Sequence, residues 1–281
     1  MSCVRSVVER EAIVVGNSDW VPEHVDPQQA NIARVVDALR GGKHNYAIDR
    51  DMARMMYTID PRVRTMVLAI QTFLGRTVRY LIDVGIRQFI DIGSGIPTED
   101  SAHEIAQRTA PDTQVVYVDN DPVAVAYSRA LLQGSDRATI IQADLREPEQ
   151  LLEHPRLANL IDLDQPVAVL VSILHFLTDD EDPRGILRRL RAAMAPGSYI
   201  VMLHGRNNEN DPMAAASAET LFTRASAPLR LRGYDEILQL FDGFELVEPG
   251  LVHVPAWHPD PAVDEGDPEE VLVFGGVGRK S

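Results

Sequence analysis

The sequence predicts an α/β fold: a seven-stranded, mostly parallel sheet with an antiparallel last strand, covered by helices and preceded by an N-terminal helical cap. Three observations lead there. Apolar runs at 87–93, 113–119, 138–144, 166–174, 198–204, 244–254 and 270–277 have the length of buried strands. Helix starts stand between the earlier runs at Asp121-Pro122, Glu147-Pro148 and Asp182-Pro183, each an acid followed by a proline. The last two runs are separated only by an acidic turn around 259–270, so they pair as a hairpin.

Taken in order, residues 1–20 show no periodicity and read as a loosely held arm. Asp26-Pro27 opens a helix that places Ile32, Val35, Val36 and Leu39 on one face, and Gly41-Gly42 ends it. KHNYAIDR (43–50) is polar and aromatic by turns, and Met52, Met55 and Met56 mark a short helix after it. Asp60-Pro61 opens another, with Val63, Val67, Ile70, Leu74, Val78 and Leu81 at helical spacing. The division expected is an arm and cap over 1–83 and a core over 84–281. Within the core, an insertion at 206–232 carries a helix from Pro212 to Arg224.

Residues 87–119 hold the chemistry. An apolar run ends in Asp91-Ile-Gly93-Ser-Gly95, an amphipathic helix follows, and a second apolar run ends in Asp119. Strand, glycine turn, helix and acid-ended strand form a nucleoside-binding unit of Rossmann-like type. The glycines let backbone pass under a ligand, and the Asp119 carboxylate accepts from ribose hydroxyls, with Asn120 beside it. A dinucleotide loop has a third glycine beneath a pyrophosphate; here that place is Thr98, after Pro97. Asp91 adds an acid from the first strand, which suits the ammonium and sulfonium of S-adenosylmethionine. ATIIQAD (138–144) ends in Asp144, placed with the Leu145 amide for the adenine. A nicotinamide-dependent oxidoreductase is the rival enzyme; it lacks both the third glycine and a tyrosine–lysine pair. A protein that binds S-adenosylmethionine without catalysis would carry the same binding residues.

Bulk properties agree with an enzyme of small molecules. With 45% hydrophobic residues in 281, the chain can bury a substantial core. A net charge of −15 argues against nucleic acid or anionic membrane as partner, since phosphate binding needs a basic footprint. The single cysteine, Cys3, excludes an internal disulfide. No apolar run reaches the roughly 18 residues of a membrane span, and charges at Arg5, Glu9, Arg10 and Glu11 break any signal core. A cytoplasmic location is therefore expected. HEIAQ (103–107) lacks the second histidine of a zinc-binding H-E-x-x-H, and no other ligand spacing occurs, so no metal is expected. The oligomeric state is not legible.

The blocks IARVVDALRGGKHNY (32–46), FIDIGSGIPT (89–98), VVYVDNDP (115–122), QADLREP (142–148), SILHFLTDDEDP (172–183), APGSYIVMLHG (195–205) and FDGFELVEPGLV (241–252) resemble a bacterial family of S-adenosylmethionine-dependent methyltransferases of unassigned substrate. The resemblance implies a class I methyltransferase fold and that cofactor. It implies no acceptor. The chain departs from the family pattern at Val36, where an aromatic is usual, at His44, where Asp is usual, and at Ile70-Gln71, where an Asn-Arg pair is usual.

Two further groups are candidates. Lys43, Asn45 and Tyr46 lie in a turn that folds over the open edge of the site. There Lys43 or Asn45 would take the methionine carboxylate and Tyr46 would face the sulfonium. His175, after the fourth strand, and His204, ending the fifth, reach the rim where ligands bind and are candidate general bases; the alternative for each is a histidine bonded into the core. The function expected is methyl transfer to O, N or C of a small-molecule acceptor, in a pocket closed by the cap and the insertion.

Overall fold

Alternation along each apolar run decides which side chains enter which layer. Phe89, Tyr117, Ile140, Leu170 and Val201 face one side of the sheet and pack with Phe73, Leu81 and Trp257. Ile90, Val116, Ile141, Val169 and Ile200 face the other and pack with Ile186, Leu190 and Phe241. The computed structural model describes residues 26, 28–98, 100–207, 212–223, 225–260 and 267–281; the predicted arm lies outside them.

The elements run α1 (Ile32–Leu39), α2 (Ala47–Ile59), α3 (Val63–Asp83), β1 (Gln88–Ile92), α4 (Ala102–Thr109), β2 (Gln114–Asp119), α5 (Pro122–Leu131), β3 (Ala138–Gln142), α6 (Pro148–Leu152), α7 (Pro155–Ala158), β4 (Ala168–Val171), α8 (Pro183–Ala193), β5 (Tyr199–Gly205), α9 (Pro212–Phe222), α10 (Tyr234–Leu238), β6 (Glu245–Leu246), β7 (Val252–His253) and β8 (Val273–Arg279). The sheet order is β3-β2-β1-β4-β5-β8-β6, with β7 also on β8. The first five strands are parallel, and β8 is antiparallel to β5 in the register Tyr199↔Arg279. This is the predicted sheet with one change. The run at 244–254 breaks into two short strands, because Pro249 has no N–H for the ladder and Gly250 turns the chain at φ +92°. Eight strands result where seven were expected.

Both cap-helix starts lie further along than predicted. Ala30 is committed to a bridge with Ala225, so α1 begins after it. Asn31 caps the helix by accepting from the Ala33 N–H at 2.8 Å, while the Asp26 carboxylate accepts from the Gln28 N–H, before the helix. Asp60 accepts from the Arg62 N–H and holds its side chain, which delays α3 to Val63.

A third apolar cluster joins cap to insertion: Val35, Met52, Val63 and Val67 pack with Leu221, Phe222 and Ala225. The Ser226 N–H donates to the Ala30 carbonyl, and Phe222 stacks on Phe176 with centroids 5.7 Å apart. A buried ion network fastens the cap to the sheet layer. Arg34 bonds Asp49 at 2.9 Å and lies 3.5 Å from Asp121, the N-cap of α5. Removing one member would leave a buried charge uncompensated.

Candidate active site

The carboxyl ends of the parallel strands open into one cavity of about 350 Å³, walled on its other side by residues of α1, α3 and α9. Its floor is the glycine turn. The Gly93 and Ser94 N–H groups both donate to the Val118 carbonyl, at 2.8 and 3.3 Å, which folds the chain sharply off β1. Gly93 and Gly95 sit at φ +74° and +65°, where L side chains are strained. Their steric reasons differ. A Cβ at Gly93 would stand 2.1 Å from Ile173, whereas one at Gly95 would meet nothing closer than Ala33 at 4.0 Å. Only the second glycine keeps open space.

Asp119 ends β2 and stabilises this turn directly. One carboxylate oxygen accepts from the Gly95 N–H at 2.8 Å and the other from the Asp121 N–H at 2.8 Å. A carboxylate has further lone pairs, so both oxygens can still accept from a ligand. Burial pushes Asp119 up to about 6, partly opposed by these amides.

Asp91, at the end of β1, is held differently. Among the described residues no hydrogen bond or ion pair is made to its carboxylate. Burial first, and then the charge of Asp119, push it up to about 7, with Arg40 acting in the opposite sense. Two buried acids side by side, one without a partner, make a site for a cation.

Asp144 follows β3 on the cavity wall, with Asn120 and Leu145 beside it. Arg146 donates to both of its oxygens at 2.9 and 2.8 Å, and the Asn120 amide approaches at 3.4 Å. Burial raises its pKa, but the Arg146 hydrogen bonds together outweigh that and hold it below the usual carboxylate range. It stays charged, and the Asn120 contact, at 3.4 Å, is the longest and most easily exchanged for a ligand donor. Asp91, Gly93, Gly95, Asp119, Asn120, Asp144 and Leu145 thus converge on one cavity.

The turn at 43–46 does not join them. None of Lys43, Asn45 and Tyr46 lines the cavity. Lys43 is exposed. The Asn45 amide donates to Asp37 at 2.7 Å and to the Gly42 carbonyl, and its oxygen accepts from Arg50 at 2.9 Å. The same Asp37 carboxylate accepts from the His44 N–H at 2.8 Å. The polar mixture is therefore a turn wrapped on Asp37. Tyr46 lies with its ring 5.0 Å from the Arg34 guanidinium, over the buried ion network.

The two histidines separate as well. His175 lines the cavity from the 3₁₀ turn Leu174–Phe176 after β4, and its Nδ1 is buried without a hydrogen-bond partner. Burial and the nearby Arg232 charge push it down to about 4, so its ring is neutral at pH 7. His204 is a core histidine. Its Nδ1 donates to the Gly205 carbonyl at 2.7 Å, its Nε2 accepts from Arg232 at 2.8 Å, and it does not line the cavity. With both nitrogens engaged it has no free position for a substrate proton.

Sequence reasoning missed Arg40 and Arg206, which both line the cavity and both have a buried Nε without a hydrogen-bond partner. Arg40 lies near Asp37 and Asp91. As a residue just before a glycine stop, it gives no signal of a site. The cap departures divide: Val36 and Ile70 line the cavity, while His44 packs on Tyr127 at 4.1 Å and Gln71 reaches toward Thr98 and Asp100.

The profile of the S-adenosyl methyltransferase family matches residues 18–281. A DUF574 family protein of Streptomyces avermitilis MA-4680 is 39% identical, with a TM-score of 0.86, over 91% of this chain and 99% of that one. A proposed methyltransferase of Thermobifida fusca YX is 38% identical, with a TM-score of 0.87, over 94% and 99%. The mitomycin 7-O-methyltransferase MmcR, 18% identical with a TM-score of 0.50 over 88% of this chain and 68% of that one, shares the fold alone. No curated protein matches the chain. No described helix is long and apolar enough to cross a membrane. The chain belongs to the S-adenosyl methyltransferase family, and S-adenosylmethionine is its cofactor.

Proposed function

We propose that the protein transfers the methyl group of S-adenosylmethionine to a small-molecule acceptor enclosed between the strand ends, the cap and α9. The observation that carries this reading is the arrangement of Asp91, Asp119 and Asp144 at the ends of three adjacent parallel strands, on a cavity that continues into an apolar chamber. Asp119 accepts from the ribose hydroxyls, Asp144 with the Leu145 amide takes the adenine edge, and Asp91 pairs with the amino-acid ammonium. Arg40, which lines the cavity near Asp91, takes the carboxylate of that same moiety, the role that the turn at 43–46 was expected to fill.

When bound, the cofactor supplies an electrophilic methyl group on sulfonium sulfur. The residues of this chain then have three tasks. The acids and Arg40 fix the methionine end. The walls of the chamber, among them Val63, Val67, Phe176 and Phe222, exclude water and hold the acceptor in line with the methyl carbon. His175 accepts a hydrogen bond from an acceptor hydroxyl or amine. At a pKa of about 4 it is a weak base, so its contribution is orientation more than proton abstraction.

Titration with S-adenosylhomocysteine tests the binding half. The wild-type protein binds it, and Asp119→Ala weakens binding roughly 10- to 100-fold, the worth of a charged hydrogen-bond acceptor. Transfer of label from methyl-labelled S-adenosylmethionine to a small-molecule panel tests the other half. Undiminished binding by Asp119→Ala would remove the cofactor assignment.

A further inference from the structure

Arg206 has no carboxylate partner among the described residues. It follows β5, with its N–H donating to the Leu272 carbonyl at 3.0 Å and its backbone bridged to Arg232. Its guanidinium packs 5.5 Å from the Phe274 ring centroid, lines the chamber, and has a buried Nε with no hydrogen-bond partner. The other arginines of this region have acids beside them. Arg232 bonds Asp179 at 2.7 Å, Arg146 bonds Asp144 and Glu181, and Arg40 lies near Asp37 and Asp91. Among the described residues no carboxylate forms an ion pair with Arg206. In a chain of net charge −15, a half-buried guanidinium on an apolar chamber with no carboxylate partner among the described residues has its charge and its buried Nε–H available to a ligand.

The rest of the chamber defines that ligand. Val63, Met66, Val67, Leu221, Phe222 and Leu229 offer no hydrogen bonds and favour an apolar body. A single free guanidinium matches a monoanion of planar, forked geometry. A dianionic phosphate would ask for further cations, and of the other two arginines on the cavity Arg146 is paired with Asp144 and Glu181, while Arg40 lies near Asp91 and is assigned above to the methionine carboxylate. We infer that the acceptor is an apolar carboxylic acid, its carboxylate held by Arg206 and its carbon skeleton lodged between α3 and α9. This rests on the reading of the chamber as the acceptor site, and Arg206 is then a specificity-determining residue.

The test is calorimetric titration of the full chain with 2-naphthoate against 2-naphthamide, and decanoate against decanamide. Each is run with and without saturating S-adenosylhomocysteine, on wild type, Arg206→Gln and Arg206→Lys. At least one carboxylate binds wild type about tenfold or more tightly than its amide, in line with a charged hydrogen bond. Arg206→Gln brings the pair within about twofold, while Arg206→Lys keeps part of the preference because the charge survives without the fork. Affinity for S-adenosylhomocysteine and melting temperature stay at wild-type values in both variants. Equal affinity for every carboxylate–amide pair, or a preference that survives in Arg206→Gln, overturns the proposal. A carboxylate preference that depends on Arg206 in a protein that fails to bind S-adenosylhomocysteine supports the anion site while removing the cofactor reading beside it.

Discussion

Replacing Asp91 by Asn removes a buried charge while leaving volume and shape almost unchanged, and it acts in opposite directions on stability and binding. The wild-type carboxyl is pushed from an ordinary 3.8 up to about 7 by burial and by Asp119. A raised acid pKa means that the folded protein retains a proton that the unfolded chain has already released. The penalty is therefore absent below about pH 4, grows as pH rises, and is complete above about pH 7. At roughly 1.4 kcal/mol per pH unit it reaches about 4 kcal/mol. Without ligand, Asp91→Asn should melt higher than wild type at pH 8, by on the order of 5–10 °C, and at the same temperature near pH 4. Binding responds the other way, because the ligand ammonium needs the carboxylate. Wild-type affinity for S-adenosylhomocysteine falls about tenfold between pH 8 and pH 6 as Asp91 takes up its proton. The variant binds weakly and without this pH dependence. Scanning calorimetry and isothermal titration at each pH give both quantities. A variant that melts no higher than wild type at pH 8, or binds the ligand as wild type does, refutes the reasoning.

Other residues make separate predictions. Asn45→Ala strips three hydrogen bonds, to Asp37, Gly42 and Arg50, and should cost about 2–4 kcal/mol in chemical denaturation; Lys43→Ala should change neither stability nor ligand affinity. His175→Ala should slow methyl transfer by about tenfold or more with ligand affinity unchanged, and the pH dependence near pH 6–7 that the acids impose should be the same in the variant as in wild type, because this ring is pushed down to about 4. His204→Leu leaves an Arg232 N–H unmet and should lower stability by about 1–3 kcal/mol, read from the denaturation midpoint. The same histidine, pushed down to about 3 chiefly by burial, contributes stability that is present above pH 6.5 and is lost progressively as pH falls from 6.5 toward 3. His204→Leu should therefore show a shallower loss of stability than wild type between pH 6.5 and pH 4.

The glycine turn and strand-end acids of the candidate site were legible because their geometry is local. A glycine turn between a strand and a helix, and acids at strand ends, are brought to one edge by any parallel sheet, whatever else surrounds them. Asp91, Asp119 and Asp144 needed no tertiary knowledge beyond the strand order. The turn at 43–46 misled for the opposite reason. Its polar residues look unaccounted for along the chain, yet Asp37, on the preceding helix, satisfies the Asn45 amide and the His44 N–H together. His204 misled in the same way, since its partner Arg232 lies 28 residues further on, at the end of the insertion.

By itself the sequence determined the parallel sheet, the antiparallel closing strand and the acids at the strand ends, because period-two burial and strand-end position are properties of consecutive residues. Only the tertiary structure decided which polar groups are spent within the protein and which are left for a ligand. Asn45 and His204 are satisfied by partners that the fold delivers. Asp91 and Arg206 are not, and a buried charge declares itself only when everything packed around it is known.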